Sequence, residues 1–259
     1  MGKLYILSQK KLDQIVEQKI EEAFSQYDSD LERELLMKRS NLAALQEQIN
    51  PHFLYNALEC IRGQALAENA GKVADAARAL SQYFRYCISN KSSLVTLRDE
   101  INYVKDYVTI QQFRFQDRFV LEISVSENEV LDAVVPKLML QPLVENAIIH
   151  GLADKIKDGL IRICVTGMDR HIEITVTDNG KGMTAAKLHE VCEKLMKPLP
   201  RGEAQIDHGK ETGVALNNVN NRIKMLFGEE YGLSVFSGGP DSGTTAEIFL
   251  PFSYSVKQI

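Results

Sequence analysis

The chain has 259 residues, with 30 Lys and Arg against 35 Asp and Glu and a formal net charge of −5. An acidic balance argues against nucleic-acid binding by bulk phosphate neutralisation, and 25% charged with 44% hydrophobic residues excludes a disordered or fibrous chain. No unbroken apolar run exceeds that of Leu4 to Leu7, far short of the ~20 residues of a membrane span. No basic region followed by an apolar stretch marks a signal peptide. The four cysteines, Cys60, Cys87, Cys164 and Cys192, lack zinc or redox spacing and read as reduced thiols of a cytoplasmic protein.

Before residue 117 Gly occurs only at 2, 63 and 71 and Pro only at 51; the other 13 Gly and 6 Pro follow it. The first part therefore reads as helical and the second as mixed α and β. From Leu12 to Ile49 apolar residues recur mostly every three or four positions, as on a helix packing against a partner. Lys38 on that seam marks a stutter or a break. Helices over 54–70, stopping near Gly71, and 73–88 form an αα-hairpin, and a third covers about 98–116. Next come a strand over 119–125, a helix over about 137–151, and alternating paired strands over 160–167 and 171–177. A helix over 184–196, a polar loop over 197–212, a helix over 213–227 and strands over 233–237 and 244–250 complete the chain. No internal repeat is evident.

Four segments of the second part carry chemistry together. Residues 141–151 hold Asn146 and His150 in an apolar helix; Asp178-Asn179-Gly180-Lys181-Gly182 follows an alternating strand; Gly213-Val214-Ala215-Leu216 opens a helix; Ser242-Gly243-Thr244 enters the last strand. Taken singly, an Asp-Asn-Gly run is most often a turn. In this order they read as a nucleotide site. Gly-rich turns let the backbone approach a nucleotide, and a helix N-terminus offers N–H groups to phosphates. An Asn oxygen suits a phosphate-bound Mg²⁺, and a buried Asp selects a base with an exocyclic amine.

The order of these segments resembles the Bergerat-type ATP-binding fold shared by sensor histidine kinases, DNA gyrase, mismatch-repair ATPases and a heat-shock chaperone. Residues 45–58, with Asn50-Pro51-His52-Phe53 and Asn56, closely resemble the phosphoacceptor segment of the LytS/YesM-type histidine kinases. The resemblance spans about 42–252 and implies an α+β protein in three parts. These are a signalling or coiled-coil helix over 1–41, a helical dimerisation and phosphoacceptor region over 42–117, and an ATP-binding two-layer α/β sandwich over 118–259. Paired hairpins would form a four-helix bundle in a homodimer.

Residue by residue, the resemblance makes His52 the phosphorylated histidine and gives Asn56 the positioning of the water that dephosphorylates a response regulator. Asn146 binds Mg²⁺, His150 lies near the ATP, and Asp178 bonds the adenine amino group. Gly180 and Gly182 shape the adenine pocket. Gly213, Leu216 and their helix hold the phosphates under a lid over 197–212, and Gly243 and Thr244 close the adenine side. The implied partner is the receiver domain of a separate response regulator, with no nucleic acid and no membrane insertion by this chain, although a longer parent is allowed a membrane anchor.

The acceptor chemistry agrees, because a neutral imidazole is a competent nucleophile at pH 7 and phosphoryl transfer is mostly positioning and charge stabilisation. Pro51 inside a helix costs about 3 kcal/mol and kinks it, which suits a device that sets the next residue. Three positions depart from the wider pattern. Phe53 replaces the usual carboxylate base, leaving Glu59 as a candidate. Ile149 replaces a common Lys, so a cation must come from Arg222, Lys210 or His150. Ala215 replaces a Gly, and its Cβ would crowd the phosphates unless helical. The departures at 149 and 215 motivate an alternative, a degenerate kinase acting as a phosphatase or ATP-binding scaffold. A gyrase-type clamp ranks lower, because Pro142 stands where its activating Glu belongs. A purely structural coiled-coil dimer leaves the four segments without a purpose.

Overall fold

The computed structural model describes residues 51–88, 93–197 and 214–253. The helix expected over 12–49, the loop over 198–212 and Gly213 lie outside the described residues. The chain divides into two compact units, Met1–Leu54 and Tyr55–Ile259. Of the first only Pro51–Leu54 is described, as the opening turn of helix α1 (Pro51–Ala67). Helix α2 (Gly71–Ile88) follows. The helix stops near Gly71 as expected, with the turn itself made by Asn69: Asn69 takes φ 57, and Ala70 N–H donates to the Ala65 carbonyl at 2.7 Å. Asn is the non-glycine residue that best tolerates this left-handed turn, so Gly71 is left to open α2. The Arg85 guanidinium lies 5.4 Å from the centre of the Tyr55 ring. This brings the start of α1 to the end of α2, as the expected antiparallel hairpin requires.

Helix α3 (Leu97–Phe115) starts at a capping box, in which Thr96 Oγ1 accepts from Asp99 N–H and the Asp99 carboxylate accepts from Thr96 N–H. Each bond satisfies a donor that a helix start would otherwise leave orphaned. Tyr103 of α3 is stacked between Tyr83 and Tyr86 of α2, with ring centres 4.9 and 4.3 Å away.

The main sheet has the order β2-β4-β5-β7-β6, built from β2 (Phe119–Val125), β4 (Gly159–Gly167), β5 (His171–Asp178), β6 (Gly232–Phe236) and β7 (Thr244–Pro251). Only β2 and β4 run parallel. Alternation sorts its faces: Ile172, Ile174 and Val176 are buried on one side of β5, while the outer side carries pairs such as Arg162 with Glu122 at 2.8 Å. Helices α4 (Gln141–Asn146), α5 (Ala185–Met196) and α6 (Val214–Phe227) cover the apolar face. The result is the expected two-layer α+β sandwich. Fully buried Val144, Ile161, Ile174, Ile223 and Ile248 knit its core, each such side chain stabilising the fold by about 1.5–3 kcal/mol.

Two features differ from expectation. A small antiparallel sheet pairs β1 (Leu94–Thr96) with β3 (Val134–Pro136); three residues are too few to show alternation in a sequence. The helix expected from 137 begins only at Gln141, because Leu138 takes φ 60. After Asn146 it widens into a π-helix over Ala147–Gly151, a form that recurs at functional sites.

Candidate functional site

A cavity of about 330 Å³ opens between the sheet and the three helices. Val176, Asp178, Thr244 and Ala246 form its floor, Leu143, Asn146, Ala147, His150 and Gly151 one wall, and Lys181, Gly182, Met183, Lys187, Val191, Leu216 and Val235 the rest. It is largely apolar with a few polar groups converging on it, as small-molecule sites usually are.

Asp178 is the outcome of strand periodicity. It continues the inward series Ile172, Ile174, Val176, so the sheet delivers a carboxylate to an apolar slot, 5% exposed. Its register partner across the sheet is Thr244. Asp178 Oδ1 accepts the Gly180 N–H at 2.8 Å. Burial pushes its carboxyl above the usual range, opposed by the Gly180 and Thr244 amides and by Lys155.

The turns around it leave no room for side chains. A Cβ at Gly180 would run into the Gly151 carbonyl, and one at Gly243, where φ is 73, into the Asp178 carbonyl. Backbone bonds lace the same turns together, Lys181 N–H to the Gly151 carbonyl at 2.9 Å and Gly243 N–H to the Gly180 carbonyl at 3.1 Å. Gly182 also lines the cavity.

Asn146 reaches the cavity from the last turn of α4, and its buried Nδ2 finds no partner among the described residues. A buried amide left unpaired costs free energy, which fits a group waiting for a ligand. His150 sits exposed at the rim. Burial of its ring lowers its pKa, and Lys181 and Lys187 lower it further. These two lysines both line the cavity; neither has a role among the expectations from sequence, although Lys181 stands inside the Asp178–Gly182 segment.

The expected site residues Asn146, His150, Asp178, Gly182, Leu216 and Thr244 therefore line one cavity, with Gly180 and Gly243 packed beneath it. Gly213 and Lys210 lie outside the described residues. Arg222 is corrected as a candidate phosphate cation: it does not line the cavity, and its Nη2 donates inward to the Leu138 carbonyl at 3.1 Å. Ile149 points into a separate cavity with Arg114, Arg118 and Lys155. Ala215 is exposed in the first turn of α6 and is not a lining residue, so its methyl does not narrow the space. His52 and Asn56 are both exposed on α1. Glu59 is paired with Arg62 at 2.9 Å.

Two family models match in tandem: "Histidine kinase" over residues 40–119, and "Histidine kinase-, DNA gyrase B-, and HSP90-like ATPase" over residues 132–254. The chain belongs to the histidine kinase family. Sensor histidine kinase YesM of Bacillus subtilis is 35% identical to this kinase-family chain over 224 residues, 86% of the chain and 35% of that protein. Sensor protein LytS of Oceanobacillus iheyensis is 35% identical over 218 residues, 84% of the chain and 35% of that protein. Sensor histidine kinase/phosphatase LytS of Staphylococcus aureus is 34% identical over 220 residues, again 84% and 35%. The chain thus spans about a third of the length of the curated relatives it matches. Among solved structures, the histidine kinase domain of the Erythrobacter litoralis EL346 blue-light activated kinase aligns with a TM-score of 0.41 at 15% identity, covering 80% of this chain and 99% of that one. No helix among the described residues is long and apolar enough to cross a membrane.

Proposed function

We propose that the chain is the kinase portion of a two-component sensor: it binds ATP with Mg²⁺ in the cavity, phosphorylates His52, and passes the phosphoryl group to an Asp of a separate response regulator. The observation that carries this reading is that one cavity is lined both by the buried Asp178 carboxylate and by Asn146, whose buried Nδ2 finds no partner among the described residues. Asp178 accepts the adenine amino group, a bond that disfavours bases lacking it. Gly180, Gly182, Gly243 and Thr244 shape the adenine end, and Leu216, with Gly213 three residues before it in sequence, is assigned to the phosphates. The Asn146 side chain is the ligand to Mg²⁺, which supplies charge neutralisation at the phosphates. Lys181 and Lys187 gather positive potential at one rim, beside His150.

A neutral His52 nitrogen attacks the γ-phosphorus, the bond to the β-phosphate oxygen breaks and ADP leaves with the electron pair. The second imidazole nitrogen then releases its proton to water. Asn56, one helical turn along α1 in sequence, is assigned the positioning of water for the reverse, dephosphorylating function. The same reading takes 1–41 as a signalling helix, 42–117 as a homodimerising and phosphoacceptor region and 118–259 as the ATP-binding part, working in the cytoplasm.

Incubation with γ-labelled ATP and Mg²⁺ tests this. Wild type should acquire an acid-labile, base-stable label and His52→Gln none. A protein that binds nucleotide but labels in neither form would instead be a phosphatase or scaffold.

A further inference from the structure

The start of α4 is held by groups from three other helices. Glu100, in the middle of α3, is fully buried. Its Oε1 accepts the Leu138 N–H at 2.6 Å and the Tyr86 hydroxyl at 2.6 Å. Its Oε2 accepts the Met139 and Leu140 N–H groups at 2.8 and 3.0 Å. The Leu140 N–H belongs to the N-cap of α4 and the other two to the turn just before it, where the helix dipole also favours a negative charge. From the opposite side Arg222 of α6 donates to the Leu138 carbonyl at 3.1 Å. Burial pushes the Arg222 guanidinium down, and Glu100 facing it holds it up.

Leu138, at φ 60, is thus gripped on its N–H by a carboxylate and on its C=O by a guanidinium. An L residue persists in that conformation only where its surroundings impose it. Buried charges of this kind are poor devices for stability alone, because apolar groups of similar volume often do as well or better. Neither Glu100 nor Arg222 lines the cavity. What the clamp does fix is geometry: it ties α4, which ends in Asn146, to α6, which begins beside Leu216, and ties both to α3. The Tyr86 hydroxyl extends the grip to α2.

We propose that Glu100 and Arg222 are positioning residues of the nucleotide site, setting the approach of Asn146 to a nucleotide-bound Mg²⁺, with Tyr86 linking that setting to the hairpin helix α2. The proposal rests on the reading of Asn146 as the Mg²⁺ ligand. The charge is needed because a carboxylate accepts on both oxygens, whereas an amide has one acceptor oxygen and would face amide donors with its own NH₂.

Calorimetric binding of ADP, once with Mg²⁺ and once with a chelator, separates positioning from general loosening. Wild type should bind more tightly with Mg²⁺, and Asn146→Ala should erase that gain. Glu100→Gln should weaken binding with Mg²⁺ by about 10-fold, the scale on which partners behind a ligand change metal affinity, and leave metal-free binding near wild type. Tyr86→Phe removes a single bond from the same carboxylate, so it should act in the same direction, less strongly, in a folded protein. If Glu100→Gln does not fold, Tyr86→Phe decides by the same criterion. Equal losses in both conditions, or none, overturn the proposal while the function stands. A wild type without a Mg²⁺ gain overturns the reading of Asn146 and the proposal with it.

Discussion

Asp178 Oδ1 accepts the N–H of Gly180, two residues further along, at 2.8 Å. The bond turns the chain back under the cavity and fixes the carboxylate there, at the cost of keeping it desolvated. Because burial raises its pKa in the folded protein, the ionised carboxylate opposes folding. The stability contribution is full below the ordinary Asp value and is lost as pH rises through the raised folded value. Asp178→Asn should therefore melt higher than wild type at pH 7 without nucleotide, the difference shrinking as pH falls. The same variant should weaken ATP binding by about 1–3 kcal/mol, because with its oxygen held by the Gly180 amide it turns an NH₂ donor, in place of the second carboxylate oxygen, toward the adenine amine. Melting curves against pH and an ATP titration check the two arms. An unchanged ATP affinity would remove Asp178 from the base-binding role.

Gly243 has φ 73, and a Cβ there would strike the Asp178 carbonyl. Gly243→Ala should destabilise the fold by more than the roughly 1–2 kcal/mol that a left-handed L residue costs alone, with nucleotide binding lost alongside. Denaturant unfolding measures the first and calorimetry the second.

How far the site was legible follows from which interactions are local. The inward series ending at Asp178 is visible because strand alternation has a fixed period of two, and Gly180 and Gly243 are visible as the residues that tight turns demand. Glu100 is not. In the sequence it is one carboxylate in a polar helix, and the amides it caps lie 38 to 40 residues away. Leu138 carries no warning either: a Leu in the left-handed region depends wholly on partners that the fold brings. The late start of α4 and the inward turn of Arg222 both follow from that one contact set.

Ile149 lies on the other side of the π-helix, in the cavity with Arg114 and Lys155. Ile149→Lys should not rescue or strengthen nucleotide binding. A change below about 0.5 kcal/mol is expected, as for a substitution away from the site, and the added charge beside three cations should lower stability slightly. A clear gain in ATP affinity by calorimetry would show that the helix presents this position to the phosphates.

His150 offers a direct probe of where the phosphates lie. Its pKa is lowered first by burial and then by Lys181 and Lys187, so the ring is neutral at pH 7. The folded value lies below the ordinary 6.5. Its contribution to stability is therefore present above 6.5 and lost as pH falls through the lower folded value. An NMR titration of His150 should give a midpoint under 6.5. Lys187→Met should raise that midpoint only part of the way, because burial is the larger cause. Saturating ADP should raise it further, since phosphate charge beside the ring favours imidazolium. A midpoint that ignores ADP would place the phosphates away from this rim, and Lys181 and Lys187 would then have to be reassigned with His150.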